Sequence, residues 1–156
     1  MSAPALVFSG VVRRFRSGSG VLDVLNGLSF TLARGAVAAI TGPNGSGKST
    51  AIRIAATVVE PTGGRVAVLG HDTLEEPGPA RRNVGLSLGT ERSFYWRLSA
   101  GWNLLFAAGR RGRRGRAGRS EVERVALACG LDLALSAPVR SLSRGMRGRL
   151  GFARAC

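Results

Sequence analysis

Residues 42–50 read Gly-Pro-Asn-Gly-Ser-Gly-Lys-Ser-Thr, which is glycine, four free positions, glycine, lysine and serine in the spacing of a loop that grips phosphate. Gly42, Gly45 and Gly47 allow the backbone to turn its N–H groups inward as a concave anion nest, with Pro43, Asn44 and Ser46 filling the free positions. In such a nest the Lys48 ammonium neutralises the β and γ phosphates, the Ser49 hydroxyl ligates Mg²⁺, and Thr50 completes the motif. Of the 23 basic residues Lys48 is the one lysine, so a compact point charge stands only where the motif asks for it.

A phosphate loop works only between a strand and a helix, and the sequence supplies both signals. The apolar run Val37, Ala38, Ala39 and Ile40 reads as a buried strand entering the loop. Residues 51–56, Ala-Ile-Arg-Ile-Ala-Ala, have helix-forming composition, so the loop lies at the positive end of a helix dipole.

Upstream, Leu6, Val7, Phe8, Val11 and Val12 read as an opening strand, and residues 13–20 as a basic, flexible connection carrying an isolated Phe15. Residues 28–32 alternate as a half-buried strand. Downstream, residues 60–64 form a turn, residues 65–70 a strand, residues 75–79 a loop and residues 84–88 a short strand. His71, the only histidine, lies in a polar turn with no second ligand or nucleophile nearby and reads as a surface residue.

The texture changes near residue 92. Phe94, Tyr95, Trp96 and Trp102 cluster between arginines, either as a small aromatic core under a loop or as a docking surface. Residues 110–119 hold six arginines among glycine and alanine and read as a solvated linker rather than a nucleic-acid arm. Ser120 with Glu121 and Glu123 marks the start of a helix. Residues 142–146, Leu-Ser-Arg-Gly-Met, lead into a last amphipathic helix with Leu150, Phe152 and Ala153.

The chain of 156 residues is one domain's worth, able to bury about 70% of its unfolded surface. Hydrophobic content of 44% with alternating strand and helix signals indicates an α/β protein. No apolar run reaches membrane-spanning length and the first residues lack signal-peptide regions, so a cytoplasmic location is expected. Cys129 and Cys156 have no metal-type spacing and read as a core residue and an end residue. The net charge of +14 suits an anionic ligand, but arginine-rich composition throughout the chain makes it a weak guide to partners.

With the phosphate loop at residues 42–50 and Leu142-Ser143-Arg144-Gly145-Met146 about a hundred residues later, the sequence resembles the nucleotide-binding domain of an ATP-binding-cassette (ABC) transporter of the export-type branch. The second motif is similar to the signature Leu-Ser-Gly-Gly-Gln that sets this family apart among phosphate-loop proteins. The resemblance implies an α/β phosphate-loop NTPase fold with an antiparallel β edge, residues 1–95, and a helical subdomain, residues 96–156. It implies ATP and Mg²⁺ as ligands, with Phe15 stacking on adenine and Val24 packing against the sugar. Ser143, Arg144, Gly145 and Met146 take the signature positions that complete the site of a second nucleotide-binding domain across a dimer. The implied partner is a membrane-spanning transporter subunit, with this chain peripheral on the cytoplasmic face, and nucleic acid is not expected.

Three departures from the family pattern stand out. Arg144 and Met146 replace Gly and Gln of the signature, and Gly89 stands where a Gln that touches Mg²⁺ and the attacking water belongs, with Thr90 and Glu91 the neighbouring substitutes. The sequence also stops before the strand that carries the Mg²⁺-binding Asp, the catalytic Glu and the later switch His. Residues 1–156 are therefore expected to bind Mg-ATP without turning it over. The alternatives are a nucleotide-binding fragment without hydrolysis, and a nucleic-acid-associated ATPase of the same superfamily in which residues 110–119 contact phosphates.

Overall fold

The alternation of apolar residues at the start of the chain builds a long antiparallel hairpin, β1 (Leu6–Ser17) and β2 (Gly20–Leu32), in register at Leu6 with Leu32 and Phe8 with Phe30. β3 (Gly63–Val68) pairs with the other edge of β1, Phe8 opposite Val66, and the two-residue β4 (His71–Asp72) closes an antiparallel sheet in the order β2-β1-β3-β4. The computed structural model describes residues 3–18, 20–87 and 94–156. They form two units, Met1–Val84 and Gly85–Cys156.

In the first unit α1 (Lys48–Ala55) packs on the sheet through Ala51 and Ile54, which join Phe8, Val11, Leu25 and Val66 in one core. The Phe8 and Phe30 rings stack at 4.7 Å over this register pair. A short helix, α2 (Pro77–Arg82), starts on a proline whose fixed φ suits a first helical turn; residues 75–79 are thus the entry to a helix and not only a loop.

The second unit is helical. α3 (Ala100–Arg110) packs against α4 (Gly115–Ala128) and α5 (Arg144–Ala155), with 3₁₀ turns at Asp132–Ala134 and Val139–Ser141 between the last two. Leu104, Leu131, Val139 and Leu150 are almost fully buried at its centre. Cys129 packs against that core, and burial pushes its thiol pKa up.

Several expectations change. The residues read as a flexible connection, 13–20, instead continue the hairpin: β1 runs to Ser17, and Arg14 pairs across it with Asp23 at 2.8 Å. The arginine-rich residues 110–119 are not a linker. Only residues 111–114 connect α3 to α4, because the buried stripe Gly118, Val122, Val125 and Ala126 carries helical spacing upstream of Ser120, and arginine is a good helix former. Val37, Ala38, Ala39 and Ile40 form no ladder among the described residues, with Val37 99% exposed; an apolar run becomes a strand only beside a neighbour. Val84, Gly85, Leu86 and Ser87 likewise pair with no strand, and Gly85 instead lies against the Ala155 carbonyl at the end of α5. Leu88 lies outside the described residues.

Candidate functional site

The phosphate loop lies between β2 and α1 of the first unit. Gly42, Gly45 and Gly47 have φ of +151°, +83° and +87°, conformations that glycine adopts without strain. Gly47 caps α1 and accepts from the Ala51 N–H at 2.9 Å, while the Ser46 N–H reaches the Pro43 carbonyl at 3.3 Å. Residues 42–46 and Ser49 are exposed, Lys48 and Thr50 are half-buried, and Gly47 is buried.

The side chain of Lys48 curls back over the loop, donating to the carbonyls of Gly42 at 2.8 Å and Pro43 at 2.6 Å. The ammonium is thus held by the backbone of the loop it serves. A phosphate oxygen entering there takes up N–H donors that would otherwise bond these carbonyls, and meets a positive charge already in position. Ser49 stands exposed and Thr50 half-buried in the first turn of α1, where the helix dipole favours an anion.

Gly47 also explains how β2 takes part. A Cβ built on Gly47 would lie 2.6 Å from the Val24 carbonyl oxygen, 2.8 Å from Leu25 Cδ2 and 3.3 Å from Val24 Cγ1. The loop therefore rests on Val24, the residue read as a sugar contact. Phe15 lies on β1 opposite Leu22, two residues before Val24 on β2. Its ring is half-buried and carries the Arg13 guanidinium 4.3 Å from its centroid. Sequence reading missed that cation–π contact, although alternation along a strand places residues 13 and 15 on one face.

The residues read as the signature lie at the start of α5. Ser143 caps the helix, its Oγ accepting from the Met146 N–H at 3.2 Å, and Ser143, Arg144 and Gly145 are exposed. Met146 is half-buried and packs against the helical core. An apolar side chain suits this packing at the position where the resemblance implies glutamine. Gly89, Thr90 and Glu91, the residues weighed for the Gln position, lie outside the described residues.

Of the aromatic stretch, Tyr95, Trp102 and Phe106 form an exposed ring cluster. Asn103, only 3% exposed, holds Tyr95 from both sides: its Oδ1 accepts from the Tyr95 N–H at 2.9 Å and its Nδ2 donates to the Tyr95 carbonyl at 3.2 Å. Nothing in the sequence marks this clamp, because its partner is backbone. His71 meets Glu76 at 3.2 Å on the surface of the sheet. Among the described residues no three His, Cys, Asp or Glu side chains group as a metal site, and no helix is long and apolar enough to cross a membrane.

A family model described as ABC transporter matches residues 25–156. The ABC transporter ATP-binding protein NatA of Bacillus subtilis is 31% identical over 143 residues, covering 92% of this chain and 58% of NatA. The daunorubicin resistance ATP-binding protein DrrA3 of Streptomyces coeruleorubidus is 36% identical over 156 residues, covering 98% and 47% of the two chains. Among solved structures, a dimeric post-hydrolysis state of an ATP-binding cassette bound to ADP and Pi superposes with a TM-score of 0.82 at 23% identity, covering 96% of this chain and 68% of that one. The chain spans about half the length of these curated relatives.

Proposed function

This chain belongs to the ABC transporter family, and from that premise we propose that it is the part of an ATP-binding subunit that holds Mg-ATP, within a protein that hydrolyses ATP to drive transport across a membrane. The observation that carries the proposal is the loop itself. Three glycines shape the nest, the one lysine is fixed over it, and Gly47 leaves room where any Cβ would strike β2.

The residues suit Mg²⁺ held through nucleotide. Ser49 offers a hydroxyl beside the nest, and an ion bound chiefly by phosphate oxygens and water needs no cage of carboxylates. When bound, the ion neutralises charge on the phosphates. Lys48 and the loop N–H groups bind and orient them, Phe15 stacks on the base, and Val24 borders the sugar. Pro43, Asn44, Ser46 and Thr50 shape the loop around them.

Phosphate binding falls to residues 1 to about 95, and the signature and partner contacts to residues 96–156. Exposed Ser143, at the positive end of a 12-residue helix, suits a γ-phosphate presented by a second nucleotide-binding domain, with Arg144 and Gly145 beside it. The dimeric relative bound to ADP and Pi supports that pairing. The transporter relatives support a membrane-spanning partner, with this chain peripheral to it on the cytoplasmic face in this proposal.

Residues 1–156 alone bind without turnover in this proposal. Asp23, Asp72, Glu75 and Glu76 are each engaged with a basic side chain on the sheet, leaving them poorly placed as a base for water. The test is phosphate release by the ATP-binding protein assembled with its membrane subunit, with Lys48→Ala as control. Turnover by the complex that vanishes in the variant supports the proposal, and turnover unaffected by Lys48→Ala refutes it.

A further inference from the structure

Arg13 lies on β1 two residues before Phe15, and the proposed function gives it no part. Its side chain is half-buried, a costly place for a guanidinium unless something meets the charge. Among the described residues no carboxylate pairs with it. The charge instead meets the Phe15 ring, with Cζ 4.3 Å from the centroid, and Nη1 donates to the Glu60 carbonyl at 3.0 Å. The Nε is buried and finds no acceptor among the described residues. A partly desolvated guanidinium over a ring is the setting in which a cation–π contact is strong.

The neighbours of Arg13 connect that ring to the phosphate loop. Its backbone pairs with Leu25 of β2, and Leu25 Cδ2 lies 2.8 Å from where a Cβ on Gly47 would stand. Arg13 thus bridges from the strand residue that seats the loop to the ring read as the base platform. The Glu60 carbonyl, in the segment between α1 and β3, holds the far end of the side chain. The ladder between β1 and β2 shifts register between Arg13 and Arg14, so strand pairing alone constrains the ring less here than in a regular ladder.

We infer that Arg13 is a positioning residue for the nucleotide base: its guanidinium takes one face of the Phe15 ring, fixes the ring relative to the phosphate loop, and leaves the opposite face to stack on a purine. The inference rests on the reading of Phe15 as the base platform and adds the residue that orients it. Both faces of an aromatic ring carry negative charge density. A cation on one face draws that density toward itself, and the other face then repels the π-system of a base less. Arg13 therefore acts on the part of the affinity that depends on the base. The triphosphate is left to Lys48 and the loop N–H groups, because the Arg13 charge is already engaged by the ring and the Glu60 carbonyl.

The experiment titrates the full chain by calorimetry with Mg-ATP and, separately, with magnesium tripolyphosphate, which has no base. Arg13→Gln keeps an N–H donor for the Glu60 carbonyl and removes the charge, whereas Arg13→Lys keeps both. Arg13→Gln should weaken Mg-ATP about threefold to tenfold, the range of a half-buried cation–π contact, and leave tripolyphosphate unchanged. Arg13→Lys, which also places a cation on the ring, should restore most of the Mg-ATP affinity. In a Phe15→Leu background Arg13→Gln should cause no further loss, since the ring through which it acts is gone. Circular dichroism confirms that each variant is folded. An equal loss for the two ligands, an unchanged or improved Mg-ATP affinity in Arg13→Gln, or the same loss in the Phe15→Leu background would overturn the inference. Where Phe15→Leu weakens Mg-ATP and Arg13→Gln does not, this inference alone fails. Where Phe15→Leu leaves Mg-ATP unchanged, or the wild type shows no saturable binding, the base-platform reading fails with it.

Discussion

Gly47 joins the loop to the sheet through the space its missing side chain leaves. Its φ of +87° and the close approach of the Val24 carbonyl both oppose a Cβ. Gly47→Ala should therefore destabilise the first unit by about 1–3 kcal/mol and weaken nucleotide binding together, measured by chemical denaturation and by titration of the same sample. Phe15 makes a different claim. With Arg13 on its ring, a stacked adenine should lose about 1–3 kcal/mol in Phe15→Ala. Inorganic triphosphate, which has no base, should bind the variant as it binds the wild type, and an equal loss for both ligands would remove Phe15 from the base site.

At the scale of elements, α3 depends on one buried amide. Asn103→Leu keeps the volume but leaves the Tyr95 N–H without its acceptor, while the Tyr95 carbonyl keeps only the Leu98 N–H at 3.0 Å. A loss of about 1–3 kcal/mol is expected, with a changed near-ultraviolet circular dichroism signal as Tyr95 leaves its rings. On α4, the hydrogen bond from Arg124 and then its charge hold the Glu121 carboxyl below its ordinary pKa. A group depressed in the folded state contributes stability above its unfolded pKa and loses it as pH falls through the folded value. Arg124→Gln should raise the Glu121 midpoint followed by NMR and shrink that acid-dependent loss.

Residues 6–12 and 28–32 of the hairpin, α1 and α5 were legible because their apolar periods are local, whereas the continuation of β1 and β2 through residues 13–27 depends on cross-strand pairing. Ser99 and Ser143 cap their helices through Trp102 and Met146 N–H groups, within the reach of a sequence pattern. The start of α4 was not legible, since arginine and glycine hide a stripe that only packing reveals. Nor was the unpaired state of Val37–Ala38–Ala39–Ile40, because pairing depends on a neighbour that the segment's own residues do not specify. In the site, the loop residues could be read from spacing, whereas the seating of Gly47 on Val24 and the hold of Asn103 on Tyr95 are backbone contacts that residue type does not announce.

For the whole molecule, the proposed function assigns nucleotide binding to the loop on the sheet unit and the contact with a second nucleotide-binding domain to Ser143, at the capped start of α5 in the helical unit. Net charge of +14 gives the chain a general attraction for anions, so nucleotide binding has to be separated from that background. Lys48 makes the separation possible, since it is one charge among 23 basic residues and, among the described residues, the one fixed over the loop carbonyls. A calorimetric titration of Mg-ATP into wild type and Lys48→Ala at physiological salt is the direct measurement. Wild type should saturate at one site. Lys48→Ala should bind about ten- to a hundredfold more weakly, the range of a charge-assisted hydrogen bond, with its circular dichroism unchanged. Equal affinities for the two proteins, or no saturable binding by the wild type, would contradict the assignment of the loop as an ATP site.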